Sequence, residues 1–106
     1  MIILCDGNMV LDVTMRGRLE ETIDKAINMI PSFIDTFHKP EVKSKLHITN
    51  EEDFILGWSY GYIIDNFSND FVSTKSRLAN TEELKEAYDI LFKRTAEIRE
   101  VIFKGG

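Results

Sequence analysis

Cysteine is almost missing from this chain. Cys5 stands alone, which excludes an intrachain disulfide framework and a cysteine-rich zinc site. Proline occurs only at positions 31 and 40, so few points force a helix to stop. No run of about 18 uncharged apolar residues exists, and no segment reads as a membrane span. The opening MIILC run ends at Asp6 and is too short for a secretion signal, so the expected location is the cytoplasm. Basic runs are also absent. Thirteen Lys and Arg face 18 Asp and Glu, for a net charge of −5 and a pI near 5.0. That balance argues against a large nucleic-acid footprint, which needs clustered cations. There is no glycine-rich phosphate loop. Ser59, Ser68 and Ser73 have no histidine or elbow motif beside them. His38 and His47 lie nine residues apart across Pro40, not at the spacing that puts two imidazoles on one helical face. They read as exposed histidines. No catalytic residue, metal ligand or cofactor is assigned on these grounds.

What is present is an ordinary globular composition. The chain has 106 residues, 43% hydrophobic and 29% charged. That fits one domain and buries enough surface for a core without staples. The pattern is mainly α. It predicts a small bundle of three long helices plus one short helix over 14–106, preceded by an N-terminal extended segment or β-hairpin over 1–13.

The N-terminal expectation comes from Asp6-Gly7-Asn8 between two short apolar runs, a turn signal of the hairpin kind. From Met15 to His38, residues Leu19, Ile23, Ala26, Ile27, Ile30, Phe33, Ile34 and Phe37 form one stripe at helical period. Pro31 interrupts the backbone but not the stripe, which predicts a kinked helix or two abutting ones. Pro40 suits the first position of a short helix over Glu41–Leu46. Asn80 and Glu83 form a capping box that starts a last helix running to about Lys104. Leu84, Tyr88, Leu91, Thr95, Ile98 and Ile102 would be its seam, and Gly105 a left-handed cap.

The central helix, TNEEDFILGWSYGYIIDNF over 49–67, is apolar on nearly every side. Thr49 and Glu52 suggest a capping box at its start. Phe54, Gly57, Trp58, Gly61 and Ile64 share one face. Leu56, Tyr60, Ile63 and Phe67 share another. The line through Glu52, Ser59 and Asn66 reads as solvated, with Ile55 and Tyr62 beside it. Such a helix is packed on several sides. Gly57 and Gly61 each cost about 1 kcal/mol against alanine in a helix interior. Close approach of another backbone would offset that, either the first helix of the same chain or a partner. Tight internal packing is the commoner case. Ile55 and Tyr62 are apolar surplus that one subunit does not obviously cover. The expected interface is therefore Phe54, Ile55, Gly57, Trp58, Gly61 and Tyr62, and the expected function is self-association, as a homodimer or other homo-oligomer, or protein partner binding. Asp65 lies in line with Phe54, Trp58 and Gly61. An inward Asp65 would call for Arg94 or Arg99 as its partner.

One motif points elsewhere. Ile2-Ile3-Leu4-Cys5-Asp6-Gly7-Asn8, followed by Met9-Val10-Leu11, resembles the first motif of PIN-like and NYN-type metal-dependent nucleases. The resemblance implies that Asp6 binds a divalent metal and that Asn8 supports the turn. It covers about a dozen residues. The rest of the chain departs from that family, which needs further strands and carboxylates where this pattern is helical.

Overall fold

The computed structural model describes residues 10–105. They form five helices: α1 Val13–Phe37, α2 Pro40–Leu46, α3 Glu51–Lys75, α4 Thr81–Lys93 and α5 Thr95–Gly105. No strand occurs among the described residues. Asp6 and most of the predicted extended segment or hairpin fall on residues outside them; of its last four residues, 10–13, none is in a strand, and Val13 already opens α1.

The bundle is built on α1 and α3, which pack along much of their length, with α5 laid against both. The stripe of α1 is the core, as its periodicity predicts. Leu19, Ile23, Ala26, Ile30, Phe33, Ile34 and Phe37 are buried. Each fully buried Ile or Leu contributes roughly 1.5–3 kcal/mol of apolar transfer. Pro31 does not divide the helix, which runs unbroken from Val13 to Phe37. The side chain of Asp12 caps its start by accepting the Met15 amide at 2.8 Å.

Four local expectations are corrected. The cap of α3 is Asn50, whose side chain accepts the Asp53 amide at 3.0 Å. Thr49 lies one residue outside it, so the Thr49–Glu52 box does not form. The helix also runs on to Lys75, because Phe71 still reaches the core, and it stops at Ser76 in a left-handed conformation (φ 59°). The last helix is two helices. The chain breaks at Arg94, whose amide turns back to the Leu91 carbonyl. The buried line is then Glu83, Ala87 and Leu91 before the break, and Ile98 and Ile102 after it. Leu84 and Tyr88 move off the seam. Lastly, no glycine among the described residues has a positive φ. Gly105 is helical, and its backbone comes so close to Ile34 that a Cβ there would stand 2.8 Å from Cδ1.

The capping box of α4 is present. Asn80 accepts the Glu83 amide, and Glu83 accepts the Asn80 amide. Glu83 also takes two hydrogen bonds from Arg77, both 2.8 Å, while that guanidinium lies over the Phe71 ring. The α3–α4 link is fastened at both ends.

Candidate interaction surface

The orientation of α3 decides what it can offer to a partner. Its buried line is Ile55, Ser59, Ile63, Phe67 and Phe71. Ile55 is 0% exposed, so this expected interface residue belongs to the core. Ser59 is also 0% exposed. Its hydroxyl donates to the Ile55 carbonyl at 2.8 Å, so a small polar group is buried with its hydrogen bond made. Of the line expected to be solvated, Glu52 is exposed and Asn66 half-buried, but Ser59 lies in the core, and the glycine face points outward.

Gly57 and Gly61 therefore meet no other element among the described residues. A Cβ built at either would find nothing within 4 Å. The internal close contact that would account for them is absent. At 100° per residue they form the floor between two aromatic rims. On the α1 side stand Phe54, Trp58 and Tyr62. Trp58 packs on Phe37 with ring centres 4.7 Å apart, Tyr62 meets Phe33 at 5.6 Å, and Phe54 meets Phe37 at 4.9 Å. These edge-to-face and tilted contacts hold the rings in place. Trp58 still leaves 47% of its surface exposed. On the other side Tyr60 bonds Thr95 and packs on Phe92, which packs on Tyr88. Phe92 is 53% exposed.

Gly57, Trp58, Gly61, Tyr62 and Asp65 line one groove of about 370 Å³. Asp65 is exposed there. Neither expected arginine reaches it. Arg94 pairs with Glu20, Asp24 and Glu97, and Arg99 with Asp53. The Arg94 guanidinium is held well above the ordinary arginine value, chiefly by its hydrogen bonds to Glu97. It ties the α4–α5 break to α1.

The histidines do not come together. His38 Nδ1 lies 3.0 and 3.1 Å from the two Glu51 oxygens, and Lys43 reaches the same carboxylate at 3.1 Å. Burial pushes the Glu51 carboxyl up, but the hydrogen bonds from His38 and Lys43 together hold it below the usual value. His47 ends α2 in a left-handed conformation. Among the described residues no three His, Cys, Asp or Glu are placed to hold a metal ion. No helix among them is long and apolar enough to cross a membrane.

Sequence reasoning missed Asp65 as part of an open groove, and it missed Phe92 and Tyr88 as the second rim. A hint lay in the chain. Turning α3 so that Ile55, Ile63, Phe67 and Phe71 point inward also exposes both glycines. No family model fits the chain, and no curated protein or solved structure matches it.

Proposed function

We propose that this protein works by association through the outward face of α3. The observation that supports the reading is the pair of open glycines between two exposed aromatic rims. Two helix-interior glycines cost about 1 kcal/mol each, and no contact among the described residues offsets them. A bare helix backbone flanked by rings is suited to close approach of another element. The self-association expected from the sequence is one form of this function. Binding a different protein is the other.

The test is the mass in solution by light scattering on a sizing column, at micromolar concentration. It is made on the native chain and on the Gly57→Leu, Gly61→Leu double variant. Leucine is a better helix former than glycine and both sites are open, so the double variant should stay folded. A dimer that becomes a monomer in the variant supports self-association. A dimer that survives both leucines with the fold intact sinks the α3 reading. A native monomer leaves a different protein as the partner.

A further inference from the structure

We infer that the α3 groove recognises a cationic side chain, so that its occupant is a basic protein segment rather than a second copy of this chain. This rests on the reading of α3 as an association surface and names the chemistry of the partner.

The groove combines three features. Trp58 and Tyr62 supply aromatic rings, whose faces attract ammonium and guanidinium groups. Gly57 and Gly61 keep its floor low. Asp65 supplies a carboxylate. That carboxylate has no ion-pair partner among the described residues, since Arg94 and Arg99 are engaged by other carboxylates. No Lys or Arg lines the groove. Its volume of about 370 Å³ lies near the small end of ligand sites. It suits the end of one side chain.

Charge also chooses between occupants. Along α3 stand Glu51, Glu52, Asp53, Asp65 and Asp70, with one base, Lys75, in the last turn. A second α3 laid on the first would bring carboxylates to carboxylates, and like charges across an interface are costly. A basic segment meets the same surface with opposite sign, and the net charge of −5 steers it in.

The probes are N-acetyl-arginine amide and N-acetyl-lysine amide, with N-acetyl-citrulline amide as the neutral counterpart of arginine. Ionic strength is fixed with sodium chloride. Trp58 is the only tryptophan, so its fluorescence reports on the groove, and backbone amide shifts over 57–65 locate the response. The expected result is a saturating response to both cations, with citrulline several-fold weaker. Asp65→Asn should weaken arginine binding roughly two- to fivefold, the range of an exposed ion pair. Asp70→Asn, on the same helix outside the groove, should not. An equal response to citrulline overturns the inference. So does an absent or non-saturating response, or an equal loss in both variants. The mass measurement tests the association reading separately. A monomer that responds to arginine keeps this inference and ends only self-association. A dimer lost in the glycine double variant, with no cation response, gives the face to a second copy and overturns this inference alone.

Discussion

A methyl group added at Gly57 or Gly61 would meet nothing within 4 Å. Alanine there removes backbone freedom from the unfolded chain and adds no clash. Each substitution should therefore raise the stability of the isolated chain by about 1 kcal/mol, read from the urea midpoint. Partner binding should fall at the same time, and a parallel rise of stability and binding would contradict the role assigned to these residues. Ile63 is the opposite case. It is fully buried on the same helix, and Ile63→Ala should cost roughly 2–5 kcal/mol through lost contacts and the cavity left behind. Ser59 explains why the two cases were hard to tell apart in the sequence. Its hydroxyl bonds within its own helix, so polarity does not keep it in water. Trp58, beside it, has its rings fixed by Phe37 and Phe54 and remains half exposed. When one small polar residue can be buried and one large apolar residue cannot be wholly covered, residue type does not give the rotation of the helix.

At the scale of elements, the legible parts are those where one signal dominates. The α1 stripe has a single apolar side, and its burial follows the period. The α4 start has Asn80 and Glu83 at capping-box spacing, and both hydrogen bonds form. The α3 start offers two adjacent capping residues, and spacing alone does not choose between them. Asn50→Ala should cost about 1 kcal/mol, while Thr49→Ala should change little. Urea unfolding of the two variants separates them, and a larger loss at Thr49 would contradict the observed cap. The break at Arg94 was illegible because the heptad pattern runs through it. What fixes it is tertiary, since Arg94 gathers Glu20 and Asp24 of α1 and Glu97 of α5. Those carboxylates are more than half exposed, so solvent screens the cluster. Arg94→Met should cost only about 1 kcal/mol.

Glu83 gives the link between α3 and α4 a pH dependence. The Arg77 guanidinium holds its carboxyl below the ordinary 4.5, with burial opposing and the Asn80 amide assisting. A carboxyl whose folded value is depressed contributes stability that is present above its unfolded value and lost as pH falls through the folded one. Glu83→Gln should therefore destabilise the chain most near neutral pH. Its deficit against the native chain should shrink below about pH 4.5. Equal deficits at pH 7 and pH 3, measured by urea unfolding, would remove Glu83 from the acid response.

At the scale of the whole molecule, the described residues form an elongated body, 54 × 27 × 20 Å. Its Cα radius of gyration is 15.8 Å, where a compact chain of this length would have about 13 Å. Two helices of 25 residues, each about 37 Å long, supply most of that length, and α3 keeps a long exposed side. Binding driven by charge should weaken as salt rises, because the Debye length falls from about 10 Å at 0.1 M to about 3 Å at 1 M. Affinity for a basic segment that is indifferent to salt would argue for apolar contact alone.

Glu86 ties the beginning of the described chain to α4. One carboxylate oxygen accepts the amides of Val10 and Leu11, at 2.6 and 2.9 Å, across more than 70 residues of sequence. Leu11 is buried beside it. These two amides are hydrogen-bonded only while α4 stays docked. In hydrogen-exchange terms they report on a helix to which they do not belong. Their protons should exchange in step with the opening of α4, as one cooperative unit, and Glu86→Gln should release them earlier than the amides of α1.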